Sequence, residues 1–303
     1  MMILTGPTGV GKTAIAIEVA LRIGAEIVSV DSRQIYKLMD IGTAKPTPHE
    51  REMVFHHLID LIYPDEYYSV YNFRNDALQA IEKIKQKGKI PFLVGGTGLY
   101  VDALVRGIFD GVPRDEKLRQ QLMLKESQQP GSLREWLEKI DPEAARKIHI
   151  NDLKRTVRAL EVWLKTGKTI SELWKSAQPA GKFVIVVLTR DRQELYDRID
   201  MRVEKMMKNG LIEEVKALLD RGYSKDLNAL KTIGYREVIE YLEGTETFER
   251  MVEKIKLNTH HFARRQLIWF RRYKDAIWLD ANNEGIVEKI ISLVRECVYK
   301  NLR

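Results

Sequence analysis

The chain has 303 residues, with 50 Lys+Arg against 43 Asp+Glu, a formal net charge of +7. With 44% hydrophobic and 31% charged residues it has the make-up of a globular protein of one large domain or two smaller ones, which excludes wholesale disorder. No long uncharged apolar run suggests a membrane span, and the single cysteine, Cys297, excludes a disulfide framework or a Cys-ligated zinc site. The opening Met-Met-Ile-Leu-Thr-Gly has no charged segment followed by an apolar one, so a cytoplasmic, reduced protein is expected. The basic surplus favours an anionic partner.

In chain order, residues 2–4 form a short apolar run that predicts a strand, and helical periodicity follows over 12–23. A β-rich run over 25–30 stops at Asp31. Residues 73–87 predict a helix with Phe73, Ala77, Leu78, Ile81 and Ile84 on one face, and 90–94 predict a buried strand running into Gly95-Gly96. The character changes near Gly111-Val112-Pro113. From 115 to 169 only helical periodicity appears, interrupted at Gln129-Pro130-Gly131 and at Asp141-Pro142, where Asp141 suits a cap and Pro142 the first helical position. Strand character returns at 183–188, and charged helices follow over 193–209, 212–221 and about 248–272. Cys297 falls on an apolar helix face with Ile290, Ile291, Leu293 and Val294. Continuous apolar strands alternating with helices predict an α/β protein with a helix-covered parallel sheet.

Gly6-Pro7-Thr8-Gly9-Val10-Gly11-Lys12-Thr13 satisfies G-x-x-x-x-G-K-[ST] without a mismatch. Glycines let such a loop wrap with its N–H groups inward, and the helix N-terminus adds partial positive charge. Lys12 sets an ammonium on the outer phosphates, and the Thr13 hydroxyl can hold Mg²⁺. The loop marks a nucleotide-binding (ATP-type) di- or triphosphate cradle without saying which compound binds. The expected fold class is therefore a P-loop NTPase-like α/β core, residues 1–112 and 181–303, with an all-helical insertion over 113–180.

Asp31 ends the second strand, where ligands of open parallel sheets bind. There a carboxylate can hold metal, accept a proton from an acceptor substrate, or simply cap a turn. The Gly-rich turn of Val94-Gly95-Gly96-Thr97-Gly98-Leu99-Tyr100 offers no acid at the end of its strand, and no N-K-x-D is present. Both absences argue against a GTPase or motor and favour transfer chemistry. The adjacent pairs His56-His57 and His260-His261 point to different faces and predict no zinc site.

Together these stretches resemble the tRNA dimethylallyltransferase (isopentenyl-tRNA transferase) family. The resemblance is carried by Gly6–Thr13, by Val30-Asp31-Ser32 with Gln34-Ile35-Tyr36, and by Met39-Asp40-Ile41-Gly42-Thr43-Ala44-Lys45-Pro46. Val94–Tyr100, Arg158-Ala159-Leu160-Glu161-Val162, Ile233-Gly234-Tyr235-Arg236 and Arg265-Gln266-Leu267-Ile268-Trp269-Phe270-Arg271 complete the set, in the family's order. His260 and Ile268 depart from its pattern.

The resemblance implies transfer of a dimethylallyl group from dimethylallyl diphosphate to N6 of adenosine 37, beside the anticodon, in tRNAs reading codons that begin with U. Asp31 would act as base, with the P-loop, Mg²⁺ on Thr13, and Arg202 stabilising the departing diphosphate. Sequence alone leaves Arg198 and Arg202, i,i+4 neighbours, equally readable as a solvated charged face. The family places tRNA contacts at Asp31, Ser32, Arg33, Gln34 and Thr97; at Arg119, Lys154, Arg155 and Arg158 of the insertion, which would meet the anticodon arm; and at Lys231, Gly234, Tyr235 and Arg236. It adds the basic, aromatic stretch of Arg264, Arg265, Gln266, Trp269 and Arg271. A monomer with no membrane association is expected. A small-molecule kinase and a non-catalytic RNA-binding switch would use the same loop and are the alternatives.

Overall fold

The computed structural model describes residues 1–109 and 112–299, with side chains through Cys297 at the C-terminal end, so Gly111 of the expected junction lies outside it. The chain divides into two compact units, 1–105 with 181–303, and 106–180. The second unit therefore begins ahead of the expected 113.

The first unit opens with β1 (Met2–Thr5), α1 (Lys12–Ile23), β2 (Ala25–Ser29), α2 (Pro48–Met53), β3 (His56–His57), α3 (Val70–Gln86), β4 (Ile90–Val94) and α4 (Gly98–Val105). The second unit holds α5 (Glu116–Gln128), α6 (Ser132–Ile140), α7 (Pro142–Lys147), α8 (Leu153–Thr166) and α9 (Ile170–Ser176). The first unit resumes with β5 (Val184–Thr189), α10 (Arg192–Lys208), α11 (Leu211–Asp220), α12 (Tyr235–Leu242), α13 (Phe248–Phe270), β6 (Ile277–Asp280) and α14 (Ile286–Tyr299).

Six strands form one sheet in the order β3-β2-β4-β1-β5-β6, every neighbouring pair parallel. β1 and β2 are buried along their whole length, which explains the apolar character of Met2–Leu4 and of Ile27 and Val28, while the buried Glu26 of β2 is paired with His57, Lys87 and Lys89. Two strands escaped the sequence reading. β3 is two residues long, and β6 is an edge strand with one exposed residue, Trp278, so neither carries a periodic signal. The helix expected over 73–87 starts at Val70, because Ser69 caps it, accepting from the Asn72 N–H at 3.1 Å.

Residues ahead of and within α1, β4 and α14 pack on β1 and β5 in one core. A second core lies over α10–α13, where Leu211, Val215, Leu230, Val238 and Ile255 bury Ile35, Tyr36 and Met39 of the chain after β2. That packing carries the segment from Asp31 to Thr43 onto the helices and so builds one wall of the site.

In the helical unit, Asp141 caps α7 as expected, accepting from Ala144 N–H at 2.9 Å, and also takes the N–H and hydroxyl of Ser171. Glu161 of α8 is fully buried and accepts from Asp115 N–H (2.7 Å), from Arg119 (2.9 and 2.8 Å) and from Arg158 (2.6 Å). Burial alone would push this carboxyl up, but the bonds from Arg119, Asp115 and Arg158 outweigh it and hold it at about 2. Its stabilisation is thus complete above the ordinary value of 4.5 and is lost as pH falls toward about 2. Glu161→Ala should destabilise this unit by about 3 kcal/mol, leaving two arginines facing a void. Urea titration followed by the fluorescence of the Trp136–Trp163 pair checks it, and an unchanged midpoint would refute the clasp.

Candidate active site

The P-loop leaves the middle of the sheet. Gly6, Gly9 and Gly11 hold φ of 145°, 84° and 101°, backbone that side chains resist, so the amides can turn inward. Because β5 lies next to β1, its crossover into α10 lands beside this loop. Three arginines of that crossover grip it: Arg190 donates to the carbonyl of Val10 (2.9 Å), Arg198 to that of Gly9 (3.0 Å) and Arg202 to the hydroxyl of Thr8 (2.7 Å). Lys12 donates to the carbonyls of Gly6 and Pro7, both at 2.8 Å.

The result is a dense group of cations facing Asp31, with Arg190 also paired to Glu194 at 2.5 Å. Burial pushes the Lys12 ammonium down to about 8, with Asp31 opposing the shift and Arg202 adding to it. Burial also lowers Arg202, again opposed by Asp31. The Nε of Arg202 is buried with no hydrogen-bond partner. A third element braces the loop: Gln266 of α13 accepts from Thr8 N–H and donates to the Gly96 carbonyl, both at 2.8 Å.

Asp31 sits just past β2. Its Oδ1 accepts from the N–H groups of Arg33 (2.8 Å) and Gln34 (3.4 Å), which fixes the carboxylate and leaves Oδ2 unbonded among the described residues. Thr97 ties the Gly-rich turn to the same loop by accepting from Ser32 N–H at 3.0 Å. A cavity of about 390 Å³ opens here. Thr8, Asp31, Ser32, Arg33, Thr97 and Arg202 line one part of it, and Lys231, Gly234, Arg236 and Arg265 another. Val203, Met206, Ile233, Ile255 and Phe262 give it an apolar side. Residues scattered over more than 230 positions thus meet around one space.

Other predicted contacts fall elsewhere. Tyr235, expected as a tRNA contact, is fully buried and its hydroxyl bonds Glu214. Gln266 is likewise a buried brace, and Gln34 bonds Ser29 and the Ala44 carbonyl. Trp269 packs its indole against Gly98, where a Cβ would stand 2.4 Å from the ring. α13 also divides its own basic stretch. Arg265 lines the cavity of Asp31, whereas Arg264 and Arg271 line a separate cleft of about 700 Å³ with Pro7 and Tyr196. In the helical unit Lys154 and Arg155 are exposed, Arg155 beside Asp152, while Arg119 and Arg158 serve the Glu161 clasp. His260, one of the departures, stacks on Tyr196 at 4.1 Å and stands 2.8 Å from Asp200.

The family model described as IPP transferase matches residues 34–273, and that described as isopentenyl transferase matches residues 1–60. The chain is 62% identical over 286 residues to the tRNA dimethylallyltransferase of Thermotoga maritima, covering 94% of each chain. It is 59% identical over 295 residues to that of Pseudothermotoga lettingae, covering 97% of this chain and 94% of the relative. The chain belongs to the tRNA dimethylallyltransferase family. It is a prenyltransferase that modifies tRNA.

Solved structures agree. A tRNA isopentenylpyrophosphate transferase from Bacillus halodurans superposes with a TM-score of 0.74 at 38% identity, covering 100% of this chain and 99% of its own. A eukaryotic dimethylallyltransferase acting on tRNA gives 0.84 at 29% identity, covering 99% of this chain and 79% of its own. Within this family fold, sequence reasoning passed over Arg190 and Glu214, and it named Gly42 and Thr43 only as carriers of the resemblance and not as lining of the cavity. Only the tertiary arrangement shows Arg190 and Glu214 touching the backbone of the two loops.

Gln266→Ala would strand the N–H of Thr8 and the carbonyl of Gly96. We expect a loss of about 2 kcal/mol in folding stability and a fall of roughly tenfold in the initial rate of dimethylallyl transfer to tRNA. Wild-type rates would show that the brace does not hold the loop in its working shape.

Proposed function

We propose that the cavity of Asp31 is where a dimethylallyl group passes from dimethylallyl diphosphate to N6 of an adenosine, adenosine 37 beside the anticodon, of tRNAs reading codons that begin with U. The observation that carries this reading is that Asp31, Thr8 and Arg202 line one cavity with an apolar side. An aromatic amine is a poor nucleophile, so a base must take its proton as the new bond forms. The diphosphate leaves with a growing charge that fixed cations must meet.

In the step, N6 bonds to C1 of the donor while the allylic C–O bond breaks and its electron pair leaves with the diphosphate. The N6 proton goes to Oδ2 of Asp31, whose other oxygen is already held by the Arg33 and Gln34 N–H groups. Lys12, the P-loop amides and Arg202 receive the diphosphate. Thr13, early in α1 with its hydroxyl unbonded among the described residues, would fit a Mg²⁺ that arrives with the diphosphate and needs only one protein oxygen. When bound, Mg²⁺ would neutralise part of the diphosphate charge.

The adenine must be flipped out of its stack to reach this space, and Lys231, Arg236 and Arg265 stand ready for the neighbouring backbone. The exposed Lys154 and Arg155 would add phosphate contacts from the helical unit to the anticodon arm. We take the enzyme to act as a monomer in the cytoplasm, a reducing compartment that suits its single, buried Cys297.

Asp31→Asn should lower kcat by about a hundredfold or more, with affinity for the anticodon stem-loop held within a few-fold. The assay follows the five-carbon mass increment on tRNA, and parent-like turnover would remove Asp31 from the chemistry. A second outcome concerns pH. Since free Lys12 loses its proton near pH 8, kcat/KM for the diphosphate should decline above about pH 8. Lys12→Arg should abolish that decline, and a decline that persists in the variant would assign it to another group.

A further inference from the structure

The stretch Met39–Pro46 carries much of the family resemblance, yet none of its residues enters the transfer step. Its backbone is strained: Leu38 and Ala44, neither of them glycine, hold φ of 68° and 50° on either side of the turn. Such conformations persist only where the surroundings impose them. Between the two, a single carboxylate gathers the backbone of the turn. Glu214 of α11 accepts from the N–H groups of Asp40 and Ile41, both at 2.8 Å, and of Gly42 at 3.1 Å. The same carboxylate accepts from the hydroxyl of Tyr235 at 2.5 Å.

Four donors on one carboxylate lock three segments together: α11, the 40–42 turn and the start of α12. The packing is equally tight, since a Cβ on Gly42 would stand 2.3 Å from the Tyr235 ring, so only glycine fits. Beyond this junction lies the cavity of Asp31, lined by Gly42 and Thr43 from the turn and by Gly234, which precedes Tyr235. The diphosphate cradle is held by other bonds, those of Gln266, Arg190, Arg198 and Arg202, none of which involves Glu214.

We propose that Glu214 is a positioning residue for prenyl transfer, its carboxylate setting the cavity wall that receives the RNA base. The proposal rests on the reading that transfer takes place in the cavity of Asp31. It requires the RNA side and the diphosphate side of the reaction to respond separately to loss of the clamp.

The test is steady-state kinetics of the full-length enzyme with an anticodon stem-loop RNA and dimethylallyl diphosphate, rates expressed per folded molecule. Glu214→Gln should raise KM for the RNA at least fivefold and lower kcat at least tenfold, while KM for the diphosphate stays within twofold. Tyr235→Phe, which removes one hydroxyl, should move the same constants in the same direction by less. Val287→Ala, in the sheet core on α14, serves as a destabilised control and should keep parental constants at a lowered Tm. If Glu214→Gln and Tyr235→Phe both behave like Val287→Ala, the positioning role is overturned. Should Glu214→Gln fail to fold, Tyr235→Phe decides alone, and a parental RNA KM overturns the role. Asp31→Asn run alongside separates the two readings: parental rates there would sink the cavity assignment, whereas a lost rate there with unaffected clamp variants sinks only this proposal.

Discussion

Everything at this site follows from the need to keep several positive charges close together away from water. Lys12, Arg190, Arg198 and Arg202 would repel one another in isolation. The fold answers by giving them main-chain carbonyls and one hydroxyl to donate to, on Gly6, Pro7, Thr8, Gly9 and Val10, and by pairing Arg190 with Glu194. Those acceptors belong to the loop that wraps the phosphate, so the bonds that tame the charge also shape the cradle. The low Lys12 value is the residue of that tension, since burial is only partly offset by Asp31. A multiply charged anion would relieve it, which is why such a place favours a diphosphate.

Opposite the cations the design principle reverses. Asp31 is fixed through a single oxygen by its own loop, and Thr97 secures that loop from the neighbouring turn. Past it the wall is held from one side by the half-buried carboxylate of Glu214. Lys45 adds a counterpart on the outer side of the 39–45 turn, donating to the Tyr36 carbonyl, to Asp40 and to Asp60. A polar junction specifies its geometry more narrowly than an apolar one, because a half-made set of bonds costs more than none.

Much of this was readable from residues alone. The strands β1, β2, β4 and β5 announced themselves through burial on both faces, and the P-loop through a spacing set by its ligand chemistry. Asp31 and Thr97 could be placed because they follow strands whose carboxyl ends must lie together in a parallel sheet. What stayed hidden was direction. Nothing in the run from Arg264 to Arg271 tells which residue turns to which side of α13, and the helix in fact sends Arg265 to one cleft, Arg264 and Arg271 to another, and Gln266 inward. Tyr235 and Gln266 belong to motifs that read as functional, yet their work is to hold backbone in place. Arg119 and Arg158 taught the same lesson in the helical unit, where the buried Glu161 claims both.

The bonds around the cradle join partners far apart along the chain: Val10 to Arg190 across 180 positions, Thr8 to Gln266 across 258. β1 emerges first during synthesis, yet its neighbour β5 follows the entire helical unit. The phosphate loop must therefore wait, incomplete, while some two hundred further residues are made, and it gains its last brace only when α13 has left the ribosome. The helical unit, whose contacts are local, can mature well before then. A ribosome stalled late on this message would release a chain with a finished appendage and an unfinished catalyst.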